Sequence, residues 1–377
     1  MGVLIYHRKA AAALLIVGLV VPLCVGIAHG VAGPLSMARQ LAGATVAKAS
    51  RAATAGLGPS IYTVSYYVAG AYRTVQAAVN AVPVNNRGAV IIHIDPGTYP
   101  GQVVIPADKP HITLQGDHAR NTVLTDNLPV RDAGKQGHPR GFMNTATLCI
   151  YAPNTRLDNI TIQNSYVQKS NVNGNQALAV TAGADKLAFN DCRLLGFQDT
   201  LYFAHPGTRA YFTHCLITGA VDYIYGFGTA WFNHCVIRNV NRGHWGSITA
   251  PSTPQSQRFG FVFFHCRLES LKSTPAGSVY LGRPWRPYGS TTFLNCYMGR
   301  QIRPIGWSNW KKPKLEKTAR FAEYRSTGPG ADVKDRAAWS TQLTKAQAAK
   351  ITPQSVLGPG NWWRVARMIP GRNQSPR

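Results

Sequence analysis

The feature that most constrains this chain is a short phrase that returns five times, a phenylalanine three residues ahead of a cysteine. It reads FNDC at Phe189–Cys192, FTHC at Phe212–Cys215, FNHC at Phe232–Cys235, FFHC at Phe263–Cys266 and FLNC at Phe293–Cys296. An aliphatic residue or Met follows each Cys by two places, and Leu157 to Ile162 reads as an earlier copy with Ile160 in the Cys position. Successive cysteines are 23, 20, 31 and 30 residues apart. Apolar and polar residues alternate within a copy, the period-two pattern of a strand. A short strand repeated at this spacing cannot bury its apolar face alone, so the copies must stack. The sequence therefore specifies an all-β solenoid, a parallel β-helix, with neighbouring strands roughly 4.8 Å apart.

The same register assigns the other residues of the phrase. The repeated Cys reads as a small apolar residue in one interior column, and the Phe ladder as core. His214, His234 and His265 each precede a Cys, so alternation puts them on the opposite strand face and argues against a shared Cys–His metal site. Cys215 and Cys235 have the tightest spacing, and would be the pair to bridge if the chain formed a disulfide.

Acids are scarce, 15 Asp and Glu against 40 Lys and Arg, yet two of them occupy equivalent places. Asp199 lies seven residues after Cys192, and Asp222 seven after Cys215. The repeat puts them one above the other on adjacent coils. Two carboxylates that close cannot both ionise easily, so one should hold a proton while the other stays charged.

Residues 1–30 read as an export signal or N-terminal anchor: His7, Arg8 and Lys9 precede a charge-free apolar run from Ala10 to Ala28. The run almost suffices to span a bilayer, so retention as an anchor stays open beside cleavage. Residues 31–60 form an Ala/Gly-rich linker, residues 61–363 the β-helix domain, and residues 364–377 a basic tail. Helical spacing from Tyr72 to Ala81 predicts a short helix capping the first coil, Gly134 to Gly141 a loop, and Arg336 to Lys350 a helical stretch. From Lys311 the repeat is lost.

Three separated motifs then carry a resemblance. Gly196-Phe197-Gln198-Asp199-Thr200-Leu201-Tyr202, Asp222-Tyr223-Ile224-Tyr225-Gly226 and Leu281-Gly282-Arg283-Pro284-Trp285 resemble the signature of the pectin methylesterases (pectinesterases). Gln176 to Val180, Gly306-Trp307, Glu323-Tyr324 and Gly328 to Ala331 extend the likeness from about Tyr62 to Trp363. The resemblance implies a right-handed β-helix that removes methyl esters from C6 of galacturonate units, with no cofactor. It implies Asp222 as nucleophile, Asp199 as general acid and then base, and Gln176 and Gln198 as the oxyanion donors. Arg283 would pair with Asp222, and Trp285, Tyr202, Val221 and Tyr225 would contact the sugar, with no metal in the site. Two departures concern substrate preference: Gly97 to Gly101 lacks a Glu common in the family, and Tyr223 and Tyr225 replace a Phe pair, neither touching the catalytic set. For Tyr223, core packing is an equal alternative.

A formal net charge of +25 suits nucleic acid, an anionic membrane or an acidic polymer. No nucleic-acid fold signature is visible, whereas demethylated pectin is a polyanion. The expected partner is methylated homogalacturonan, the expected state a monomer, and the expected location secreted or cell-envelope. A β-helix lyase or glycosidase of pectin needs other acid clusters, and a non-enzymatic carbohydrate-binding or envelope β-helix has no use for the intact five-residue set.

Overall fold

The computed structural model of the protein describes residues 59–132, 145–167 and 175–364. Among these described residues, twenty-six strands build three sheets of eleven, eight and seven strands, here sheets I, II and III, and every pairing is parallel. A coil contributes one strand to each sheet in turn. Leu187–Asn190 joins sheet I, Arg193–Leu195 sheet II and Leu201–Phe203 sheet III, before Arg209–Thr213 restarts the cycle one level on. Neighbouring coils supply the hydrogen bonds that a lone short strand lacks.

Register carries the repeat into the core. Phe189, Phe212, Phe232, Phe263 and Phe293 pair in sequence across sheet I, and successive rings stack at 4.4, 4.7, 4.5 and 4.6 Å between centroids. Cys192, Cys215, Cys235, Cys266 and Cys296 are each 1% exposed or less, with Ile160 completing their column. All six described cysteines are free, so Cys215 and Cys235 are not bridged. The thiols of Cys192, Cys215, Cys266 and Cys296 instead donate to carbonyls of the coil beneath, Cys215 to Phe189 O at 3.6 Å and Cys296 to Phe263 O at 3.5 Å, while Cys235 donates to Asn233 O of its own coil.

The repeated phrase is not one strand, however. Between its Phe and its Cys the chain turns from sheet I into sheet II, and the residue before each Cys takes the turn with positive φ. Asn159, Asp191, His214, His234, His265 and Asn295 all lie between 50° and 56°. Strand alternation therefore gave the wrong reason for the histidines. They stand at a corner, exposed, with His234 stacked 5.2 Å from His265 and 6.1 Å from His214. The repeat also outlasts Lys311: Glu323-Tyr324-Arg325-Ser326 repeats the phrase in other letters. Glu323 pairs with Phe293, Arg325 has φ 46°, and Ser326 Oγ accepts from Cys296 N. A buried Glu is tolerable there because Arg336, itself 9% exposed, donates to both its oxygens.

The capping helix is shorter than the spacing suggests, Val75–Ala81, with Thr74 as N-cap and Tyr72 drawn into a bridge with Val64. The C-terminal stretch yields Lys345–Ala349 and, not foreseen, Pro353–Leu357. Ala348, Val356 and Leu357 pack with Trp231, Val262 and Leu294 on the outer face of sheet I. The apolar N-terminal run, the linker up to residue 58, the Gly134–Gly141 segment and residues 365–377 lie outside the described residues. Among the described residues no helix is long and apolar enough to cross a membrane.

Candidate active site

A second left-handed corner, between sheets II and III, holds Asp199 at φ 63° and Asp222 at φ 49°. Gln198 bridges to Val221, and Leu201 pairs with Ile224, so the 23-residue offset runs unbroken through both aspartates. Against the next strand, Gly246–Pro251, the register slips between Val221 and Ile224. Such a bulge re-aims the side chains it carries, here Asp222 and Tyr223. Tyr223 goes fully into the core, which resolves it as structural. The next turn admits only glycine: Gly226 has φ 110°, and a Cβ there would sit 2.2 Å from Phe203 O.

Asp222 is 7% exposed and Asp199 8%. Arg283 reaches Asp222 with both arms of its fork, Nε to Oδ1 at 2.9 Å and Nη2 to Oδ2 at 2.5 Å. It enters from the end of the strand Val279–Gly282, where a Cβ on Gly282 would lie 2.1 Å from Thr249 Oγ1. The guanidinium is held between two indoles, its Cζ 3.6 Å from the Trp310 ring centroid and 4.8 Å from that of Trp245. Arg242 lies over the outer part of the same wall, 5.6 Å from the Trp245 ring.

Asp199 has no such partner. Burial pushes its carboxyl well above the usual range, and the charge of Asp222 pushes the same way. Arg283 and hydrogen bonds from Gln198 and Tyr225 offset this only in part. One carboxyl is thus prepared to carry charge and its neighbour to carry a proton. Ala177 N donates to the Gln198 carbonyl at 3.1 Å, which brings Gln176 to the cleft one coil below; its buried Oε1 has no protein partner among the described residues.

Tyr202 and Tyr225 stack at 4.7 Å beside the aspartates, 5% and 3% exposed, and Trp285 packs 5.9 Å from Tyr225. Val221 is 1% exposed. Of these four, the half-buried Trp285 offers the most accessible face. Tyr225 corrects the sequence reading that set it apart from the catalytic group, since it bonds Asp199. Trp245, Trp310 and Arg242 were missed altogether. Trp310, three residues beyond Trp307, could have been noticed; nothing near Trp245 in the sequence marks it.

A buried carboxylate pair with a forked arginine on one member thus sits at a β-helix corner beside aromatic rings, the setting of a parallel β-helix enzyme. The comparisons make the class specific. The Pectinesterase family model matches residues 62–360. The chain is 36% identical to Pectinesterase 31 of Arabidopsis thaliana over 298 residues, 77% of this chain and 90% of that protein. It superposes on pectin methylesterase PemA from Erwinia chrysanthemi with TM-score 0.70 at 30% identity, covering 81% of this chain and 99% of the other. On the carrot pectin methylesterase the TM-score is 0.71 at 29% identity, covering 81% and 95%. The chain belongs to the pectinesterase family.

Proposed function

We propose that this protein hydrolyses the methyl esters on C6 of galacturonate units in pectin, releasing methanol, by way of an acyl intermediate on Asp222. The observation that carries the assignment is the asymmetry of the pair: Arg283 forks onto Asp222, while Asp199 is driven towards its protonated form. Solved pectin methylesterases in complex with hexasaccharides support the substrate class.

The ionised Asp222 adds to the ester carbonyl carbon, and the oxygen that gains charge is received by the amide groups of Gln176 and Gln198. Collapse breaks the bond to the methoxy oxygen, and Asp199 gives its proton to that oxygen as methanol leaves. An anhydride now joins Asp222 to the sugar carboxyl. Asp199, now a carboxylate, takes a proton from water, whose oxygen attacks the sugar-derived carbonyl carbon. The acyl bond breaks, Asp222 departs as carboxylate, and Asp199 has its proton back. Trp310 and Trp245 pack against the guanidinium of Arg283 and restrict its movement away from Asp222.

The net charge of +25 favours a chain whose substrate becomes more anionic as the reaction proceeds. With the apolar N-terminal run, it supports action as a monomer outside the cytoplasm, in the cell envelope or secreted. The test is methanol release from highly methylated pectin with polymer viscosity unchanged. Viscosity loss would make the protein a depolymerase, and absence of both would make it a binding protein.

A further inference from the structure

The molecule stacks aspartates at matching positions of adjacent coils in a second place, far along the chain from the catalytic pair. His93 and Asp95 lie two residues apart on and just after the strand Val90–Ile94, and so share its outer face. Asp117 follows the strand Ile112–Gly116, whose Gly116 pairs with Ile94, so Asp117 is set beside Asp95. His93 Nε2 lies 3.3 Å from Asp95 Oδ1 and 3.3 Å from Asp117 Oδ1. One donor atom from each residue falls within 4.8 Å of the others.

Two things about this group suit a bound cation. Charge balance is the first. Asp132, Asp158, Asp185, Asp222, Glu269 and Glu323 each have an arginine in ion-pair contact. Asp95 and Asp117, in a chain with 40 Lys and Arg, share only one imidazole among the described residues. An imidazole carries at most one positive charge against their two. Their field reaches the Tyr99 phenol, which burial, Asp95, two neighbouring tyrosines and Asp117 push up to about 12.

Distance is the second. A charge-assisted N–H···O bond closes to about 2.7–2.9 Å. Both contacts stop at 3.3 Å, as does the pair of Arg156 with Asp158. That is the edge of a coordination tetrahedron, since arms of 2.0–2.2 Å put ligand atoms about 3.3–3.6 Å apart. One imidazole nitrogen with two carboxylate oxygens suits a borderline divalent ion of the zinc type, and the imidazole makes a calcium site a poor match.

We propose that His93, Asp95 and Asp117 bind one divalent transition ion, with water completing its shell, clasping two successive coils at the N-terminal end of the β-helix. The site is separate from the catalytic corner, and its role is to fasten coils.

The test is titration of Zn2+ into the full, untagged chain by calorimetry, alongside thermal melting with and without the ion. One saturable equivalent is expected, with a rise in the melting midpoint. His93→Ala and Asp117→Asn should each weaken binding at least about tenfold and abolish that rise, since each removes one of three ligands. Both variants should keep wild-type methanol release, which shows that they fold. Absence of a first equivalent in the wild type overturns the proposal. So does an equivalent that survives both substitutions, or one lost in His234→Ala, which would place the ion on the stacked histidines.

Discussion

At the corner between sheets I and II, His214, His234 and His265 stand in a left-handed column open to solvent. At the corner between sheets II and III, Asp199 and Asp222 stand in another, each less than a tenth exposed. The backbone device is the same in both: one residue per coil with positive φ, repeated at the strand spacing. What differs is cover. Trp245, Trp310, Tyr225 and Trp285 close around the aspartates or their arginine, whereas the histidines meet each other, the edge of Phe264 and the Thr213 hydroxyl. A solenoid supplies stacked side chains at every corner; chemistry develops where burial makes neighbouring groups alter one another's protonation.

The strongest way to break this comparison is to remove the charge at the covered corner. Asp222→Asn should lower methanol release by roughly 10⁴-fold or more, as removal of a nucleophile does. Asn tolerates the left-handed turn, so circular dichroism and melting should stay near wild type. Arg283→Ala should also remove most activity, and Arg283→Lys should restore little, because an ammonium cannot fork across two oxygens. Near-normal turnover in Asp222→Asn would take the nucleophile out of the mechanism.

Next in size is the oxyanion contact. Gln176→Ala should lose about 2.7–4 kcal/mol of transition-state stabilisation, appearing in kcat rather than KM. An effect confined to KM would make Gln176 a sugar-binding residue.

The aspartate column was legible before any coordinates because the seven-residue offset from each Cys is a matter of counting. So was the Phe ladder, since stacking follows from any parallel register. The corners were not legible. A positive φ at His234 leaves no trace in hydropathy, and an alternating pattern looks continuous when the chain bends between two sheets. The indole clamp escaped for a different reason. Trp245 and Trp310 meet Arg283 only through tertiary approach of three separate segments. Tyr225 was underrated because a phenol and a phenyl occupy the same place, and only the cleft reveals that the hydroxyl reaches Asp199.

A finer test follows from that hydroxyl. Activity requires a protonated Asp199, so it should fall on the alkaline side as Asp199 loses its proton. The hydrogen bond from Tyr225 favours the charged form of Asp199. Tyr225→Phe should therefore raise the Asp199 pKa further and move the alkaline limb to higher pH. A shift to lower pH would reverse the sign of the tyrosine's contribution.

The smallest effects should come from the exposed corner. His234→Asn keeps a residue that accepts φ near 50°, and removes an imidazole that touches no substrate group. Stability at neutral pH should change by less than about 0.5 kcal/mol, and methanol release not at all. His234→Val keeps the exposure but forces a β-branched residue into the left-handed region, and should cost about 1–2 kcal/mol. The two variants thus separate backbone from side chain. Burial, His265 and His214 hold the His234 imidazole below its ordinary 6.5. The unfolded chain therefore binds the proton more readily, and wild-type stability should begin to fall as pH drops through 6.5. The Asn variant should lack that part of the decline. Melting curves from pH 7.5 down to about 5 would show it, and an unchanged slope would mean that the stacked row carries no coupled charge.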